Sequence, residues 1–419
     1  MEELISTNLN WGTTVTLEEL VNDEIIKLER GRVISSIEMA NNPGIYPVYS
    51  SSSQKNGLFG HFGEFDFEEE LITWSVDGGG AFFYRPKHKF SVTNVSGVLK
   101  ILDQSKYNYK FLYYLLSFQH SNQTYDYVDK AHPSVIKKRY YIPSVELTEQ
   151  KKIVNLLDTI DNAIVETTNL LIKYKKIKSG IWQDLLSKGI DKNGDIRSEE
   201  THEFINSVLG KIPKEWKLMS IEDYSEKITS GSRGWAKYYS EEGSKFIRIG
   251  NLKRGQIEID LTDVRYVNLP TKTEGVRSQL KVNDMLISIT ADLGIVGVIP
   301  KEFGEAYINQ HIALVRFKQG EVNPRFIGYF LSSNAGKKMF DYYNDSGAKA
   351  GLNLNTIGKL NILVPDLEEQ DKIVSILDNI NALLTTNNSK LEKYKKIKFG
   401  LMKDIFTGKI NMTELKLRK

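Results

Sequence analysis

The chain carries one long segment twice, 220 residues apart. Leu147 to Ile190 reads LTEQKKIVNLLDTIDNAIVETTNLLIKYKKIKSGIWQDLLSKGI, and Leu367 to Ile410 reads LEEQDKIVSILDNINALLTTNNSKLEKYKKIKFGLMKDIFTGKI. With no gap, 19 of 44 aligned positions are identical. Both copies have the pattern of long helices, so the chain should build two equivalent halves, each closed by a helix. Such a plan suits a partner with two-fold character, and double-helical DNA is the leading candidate.

Apolar residues recur in each copy at steps of four and three. In the first they are Ile153, Leu157, Ile160, Ile164, Leu171 and Tyr174, with Ile181 and Leu185 further on. In the second they are Ile373, Leu377, Ile380, Leu384, Leu391 and Tyr394, then Leu401 and Ile405. This is a heptad seam with polar residues between. Thr167 and Asn387 interrupt it at the same step, as do Lys178 and Lys398. Seams that match in length and in their polar steps favour two helices paired with each other. The other arrangement has each helix packed on its own domain. At about 1.5 Å per residue, a paired rod would run roughly 55 Å.

The segments ahead of the helices are also related. An offset of 215 aligns Leu71 with Leu286, Asp77 with Asp292, Gly79 with Gly294 and Asn94 with Asn309. It also aligns Phe111 with Phe326 and Tyr114 with Tyr329. The segments LITWSV, SVTNVSGVLKI, YYIPSV, KFIRIGNL, DMLISIT and IALVRF read as strands, while YKFLYYLLSFQH and PRFIGYFLSSNAGKKMF read as short helices. The expected fold is α+β: two similar α/β domains separated by two long antiparallel helices forming a coiled coil. The expected boundaries are a first domain over 1–146, a helix over 147–188 and a linker over 189–210, then a second domain over 211–366, a helix over 367–407 and a tail over 408–419. The linker lies in the polar, aperiodic stretch Lys188 to Glu215.

Composition narrows the function classes. The absence of cysteine rules out disulfides and thiolate metal sites and fits a reducing cytoplasm. No window approaches the roughly 20 apolar residues of a membrane span, and the opening MEELISTNLNWG is too acidic and polar for a signal peptide. A net charge of +3 means that any basic binding surface must be segregated rather than abundant.

Catalytic patterns are missing. There is no phosphate-binding G-x-x-x-x-G-K-[ST] and no G-x-G-x-x-G after a strand. The aminomethyltransferase tetrapeptide of Asn or Asp, Pro, Pro and an aromatic residue does not occur. The six histidines have no metal-ligand spacing, so no metal site is expected. Asp77 and Asp292 occupy equivalent places, but Asp in a Gly-rich turn is more often a capping residue.

Binding features remain. The loop Tyr46 to Phe62 mixes hydroxyls, amides, Lys and aromatics, and its counterpart is Phe246 to Ile259. These types hydrogen-bond base edges and phosphates. The candidate DNA-facing residues are Tyr49, Ser51, Gln54, Lys55 and Asn56 in the first half. In the second half they are Arg248, Asn251, Lys253 and Arg254. The run KYKKIK occurs at Lys173 to Lys178 and at Lys393 to Lys398. It suits phosphates, a partner protein or a merely solvated helix face.

The chain resembles the specificity subunits of type I restriction-modification systems over nearly its whole length. The resemblance rests on the paired helix starts LTEQKKIVNLLD and LEEQDKIVSILD and on the runs KYKKIKSG and KYKKIKFG. It rests also on THEFINSVLGKIPKEW, on YPVYSSS with its trailing NG, and on IRIGNLKRGQI. It implies two target-recognition domains, each reading half of a bipartite DNA site, with the helices as a ruler. It further implies two adenine methyltransferase subunits as partners and, for cleavage, ATP-driven restriction and translocase subunits. S-adenosylmethionine, ATP and Mg would then belong to those partners, and this chain would hold no cofactor and catalyse nothing. Departures are mild: VNDEIIKLERGRVI is acidic at the first strand, and the second half lacks the YPVYSSS form. The alternatives are a coiled-coil interaction scaffold without sequence-specific DNA binding, or a subunit with its own methyltransferase or nuclease activity.

Overall fold

The structure is a computed structural model that describes residues 13–410, apart from 53, 78, 122, 124–129, 271–274 and 346–351. The chain divides into two compact units. Unit 1 combines Met1–Asn169 with Asn388–Lys419, and unit 2 is Leu170–Asn387. The division falls inside both long helices, Leu147–Ser187 and Leu367–Phe406. Most of the tail expected over 408–419 lies outside the described residues.

In unit 1 a four-stranded antiparallel sheet has the order Ile26–Arg30, Ser96–Ile101, Leu71–Ser75, Phe82–Arg85. Alternation along Leu71–Ser75 splits its side chains between two cores. Ile72 and Trp74 join the core beneath the helix Tyr109–His120, and Leu71 joins Phe90, Val92 and Val98 on the other face. Trp74 lies across Gly97 on the neighbouring strand, where a Cβ would come within 2.0 Å of the indole. Only glycine leaves that space. A second sheet, Leu58–Phe62, Tyr46–Tyr49 and Ser91–Val92, carries the first candidate loop.

Unit 2 repeats the plan. Its sheet runs Ser225–Ser230, Ile312–Phe317, Met285–Ser288, Val296–Val298, and a second four-stranded sheet contains Ser244–Ile247 paired parallel to Ala306–Ile308. Met285 and Ile287 face the helical core, while Leu286 faces the second sheet. The segment read as one helix from Pro324 is two, Pro324–Leu331 and Asn334–Asp345. The stretch expected to be an aperiodic linker is largely built into this unit. Phe204–Ser207 and Gly210–Pro213 form a hairpin, and Ile190, Ile212 and Trp216 are core residues. Arg197 and Glu369 make a buried two-point ion pair at 2.5 and 3.0 Å. Glu369 also accepts from the Ile190 N–H and the Trp216 indole. Two short strands and one buried pair leave too little periodicity to read from sequence.

Within each unit the long helices run antiparallel. In unit 1 Ile153 and Leu157, near the start of the first helix, share a core with Met402, Ile405 and Phe406 at the end of the second. In unit 2 Ile373 and Leu377 share a core with Trp182 and Leu185. Each half-helix therefore packs on a domain as well as beside the other helix. The expected apolar seam positions, from Ile153 to Leu185 and from Ile373 to Ile405, are all buried or half-buried, Ile160, Ile164, Tyr174, Ile181, Ile380, Leu384, Leu391, Tyr394 and Leu401 being the half-buried ones.

The same polar ties fix domain to helix in both units. Gln150 Oε1 accepts from the Asn108 N–H at 2.9 Å, and Gln370 Oε1 from the Asn323 N–H at 2.8 Å. Tyr114 donates to Asp158 and Asp161, at 2.8 and 2.7 Å. Tyr329 donates to Asp378, which Arg325 also grips. Burial and these carboxylates raise both phenols far above the usual tyrosine range, so they remain donors.

Candidate nucleic-acid interface

The first candidate loop is a hairpin whose turn, Gln54–Gly57, puts two non-glycine residues in the left-handed region. Lys55 has φ 48° and Asn56 φ 56°, followed by Gly57 at 79°. Left-handed Lys costs of order 1 kcal/mol or more, so the surroundings must hold the turn in place. Gln54, Lys55 and Asn56 are exposed. Beneath them lies Arg85, only 1% exposed. Its Nη1 donates to the Asn56 carbonyl at 2.9 Å, and its Nε donates to Thr73 Oγ1 at 3.0 Å. Its guanidinium lies 3.6 Å from the centre of the Tyr49 ring. Burial pulls the Arg85 pKa down to about 10, so it is still a cation at neutral pH. Among the described residues its buried Nη2 has no hydrogen-bond partner.

Tyr49 is thus half-buried, packed on Phe90 and linked through its hydroxyl to His88 at 3.2 Å. Ser51 is half-buried, and its carbonyl accepts from Ser75 Oγ at 2.8 Å. The structure brings Gln54, Lys55 and Asn56 together at the surface and uses Tyr49 and Ser51 beneath it.

The second loop divides in the same way. Asn251 is 1% exposed and works inside the loop, with Oδ1 accepting from the Arg248 N–H at 2.9 Å and Nδ2 donating to the Asp260 carbonyl at 2.8 Å. Arg248 is half-buried and donates to the Asp263 carbonyl and carboxylate at 2.9 and 3.0 Å. Lys253 and Arg254 are exposed. Lys253 lies 3.5 Å from Asp260, and Arg254 pairs with Asp292. Asp77 is likewise paired, with Lys130 at 3.0 Å. Both aspartates therefore take part in ion pairs. Sequence reasoning missed Arg85, whose only signal is a lone cation ending the strand FFYR.

Among the described residues, no group of three or more His, Asp or Glu side chains is placed to hold a metal ion. Nor is any helix long and apolar enough to cross a membrane. The first loop displays the amides of Gln54 and Asn56 with Lys55, and the second displays the cations Lys253 and Arg254, groups of the kind that contact base edges and phosphates.

A family model described as the type I restriction modification DNA specificity domain matches residues 14–174 and again 213–396. The chain belongs to this family. Its two matches coincide with the two repeated domains and most of their helices. The type I restriction enzyme MjaVIII specificity subunit of Methanocaldococcus jannaschii is 24% identical over 411 residues, covering 94% of this chain and 92% of the relative. A putative type I specificity subunit of Mycoplasma pneumoniae, described as an N-terminus, is 37% identical over 143 residues, 32% of this chain and 73% of the relative. The type I restriction-modification S subunit from M. genitalium shares the fold, with a TM-score of 0.64 at 18% identity over 95% of this chain and 96% of that one.

Proposed function

We propose that this specificity-family chain reads a bipartite DNA site, one half per unit, for a type I restriction-modification complex. The single observation that carries this is the duplication itself: one domain plan, one helix and one set of polar ties, each occurring twice with different surface loops. Because the loops differ, the two half-sites should differ. Gln54, Lys55, Asn56, Lys253 and Arg254 are the proposed DNA-facing side chains, and Tyr49, Ser51, Arg248 and Asn251 shape the loops that present them.

In this reading the chain catalyses nothing and works in the cytoplasm. Two methyltransferase subunits dock on it and bring S-adenosylmethionine. Restriction subunits, where they occur, bring the ATP and Mg chemistry. The test is methyl transfer. Purified chain with S-adenosylmethionine and duplex DNA should transfer no methyl groups. Added methyltransferase subunit should then give methylation at one bipartite sequence, mapped by sequencing. Transfer by the chain alone, or methylation without sequence preference, would overturn the proposal.

A further inference from the structure

The run KYKKIK is identical in both long helices, yet its lysines meet different surroundings. In unit 1 Lys398 pairs with Asp161 at 2.6 Å and Lys395 with Glu392 at 2.8 Å. The matching lysines of unit 2 are Lys178 and Lys175. The 220-residue offset puts Asn381 where Asp161 stands and Ile172 where Glu392 stands. Both acids have therefore been lost on the unit 2 side. Lys178 donates instead to the Gly255 carbonyl at 3.0 Å and lies over the Trp182 ring, where burial lowers its pKa.

These lysines border a groove in unit 2. It consists of a cavity of about 160 Å³ and an adjoining one of about 570 Å³, which share Gly255, Ser332, Ser333 and Asn334 as walls. Six cations line the pair: Lys175, Lys178, Lys253, Arg254, Lys337 and Lys338. No Asp or Glu is among the lining residues of either cavity. In a chain with 53 acids against 56 Lys and Arg, this is strong local segregation. Arg254 and Lys253 have carboxylate neighbours in Asp292 and Asp260. Among the described residues Lys175, Lys178, Lys337 and Lys338 have none within ion-pair distance. Lys337 and Lys338 also lie near the start of the helix Asn334–Asp345, whose first turn has no acid. That is the positive end of the helix dipole, where added cations repel one another unless an anion is bound.

We infer that this groove takes the phosphodiester backbone of duplex DNA, running from the edge of the second recognition loop at Lys253 and Arg254 onto Lys175, Lys178, Lys337 and Lys338. The inference rests on the proposed DNA-reading function and adds to it a sequence-independent contact on one half only. Four lysines without a carboxylate partner, with hydroxyl and amide donors between them, fit a row of phosphates, whose contacts position a protein without reading sequence. An acidic protein surface would carry the same charge. The polar wall at Ser332, Ser333 and Asn334 favours phosphate oxygens, which accept hydrogen bonds from small donors at close range.

The test uses the chain reconstituted with its methyltransferase subunit, and two DNA duplexes, one containing the mapped methylation sequence and one lacking it. The triple variant K175A/K337A/K338A should bind both duplexes about tenfold or more weakly near 0.15 M salt. The slope of log affinity against log salt should fall by up to about three, near one per lost phosphate contact. The methylated sequence should stay the same. The variant K175R/K337R/K338R should keep wild-type affinity, and an unchanged melting temperature excludes misfolding as the cause. Unchanged affinity and slope in the alanine variant would overturn the inference. So would loss of methyltransferase assembly instead of DNA binding, which would mark the groove as a protein-docking surface. If the wild-type complex does not distinguish the two duplexes, it is the proposed function that fails, whatever the lysines do.

Discussion

Gln150 Oε1 accepts a hydrogen bond from the Asn108 N–H at 2.9 Å, at the point where Asn108 caps the helix Tyr109–His120 through the Phe111 N–H. The Gln150 amide also donates to the carbonyls of Lys106 and Val145, both at 2.8 Å. Gln150 is fully buried, and Gln370 repeats the tie to Asn323 in unit 2. One side chain thus joins a recognition domain to its long helix. Gln150→Leu keeps the volume but strands buried backbone groups, each costing about 1–3 kcal/mol. The variant should lose about 2–4 kcal/mol by denaturant unfolding, and Gln370→Leu a similar amount. A loss below about 1 kcal/mol would show that the tie is not structural.

Arg197 and Glu369 are 8% and 6% exposed, and the carboxylate accepts from three different residues. Removing one member of a buried pair leaves the other charge uncompensated, at about 3–5 kcal/mol. Arg197→Met should therefore destabilise unit 2 more than the double change Arg197→Met/Glu369→Met does. A double-variant loss equal to the sum of the Arg197→Met and Glu369→Met losses, read by thermal unfolding, would show that the pair is not coupled.

These two contacts mark what the sequence could reveal. The duplication, the helices and the central strands were legible because heptad steps and β-branched runs persist over many residues. The motif L-x-E-Q-x-K-I-V was visible as a repeat, but nothing in a linear pattern says that Gln150 reaches back 42 residues to Asn108. Arg197 looked like part of a polar linker because a buried salt bridge needs only one residue from each side. Among the loop candidates, residue type alone could not separate Gln54, Lys55 and Asn56, which are exposed, from Asn251, whose side chain is satisfied internally. That division depends on backbone turns and on Arg85, which lies on a different strand.

His120 supplies a pH dependence. It lies against the Phe82 ring edge and 3.3 Å from the Tyr140 hydroxyl, and burial lowers its pKa below the usual histidine value. The unfolded chain therefore binds a proton more readily than the folded one, so stability rises with pH through this window and falls on acidification. Melting temperature should drop as pH is lowered from about 7.5 through the unfolded histidine pKa, roughly 6.5. The drop should be shallower in His120→Asn. The same pH slope in both proteins would assign the effect to other groups.

Arg85 and the turn above it predict a half-specific phenotype. Arg85→Met removes the donor to the Asn56 carbonyl and the cation beneath Tyr49, so Lys55 and Asn56 should leave their left-handed conformation. In the reconstituted methyltransferase complex, discrimination at one half-site should weaken by about 1–3 kcal/mol, the worth of a good base contact. The other half-site should be unaffected. Alanine at Gln54, Lys55 and Asn56 together should give the same pattern. Equal loss at both half-sites would indicate general damage rather than a misplaced turn.

The long helices predict a change of spacing without a change of sequence read. If they hold the two half-sites apart, adding one heptad to each at matching antiparallel positions, near Thr167 and Asn387, keeps the seam in register. It lengthens each helix by roughly 10 Å. At about 3.4 Å per base pair, that is up to three extra base pairs between the half-sites. The accepted change should be smaller if the DNA must also twist to bring the second half-site round. In the proposed reading the base contacts belong to the loops around Gln54 and Arg254, so the half-site sequences should remain as they were. Sequencing of methylated DNA from the reconstituted complex reads both quantities at once. An unchanged spacer with full activity, or altered half-site bases, would show that the helices do not set the distance.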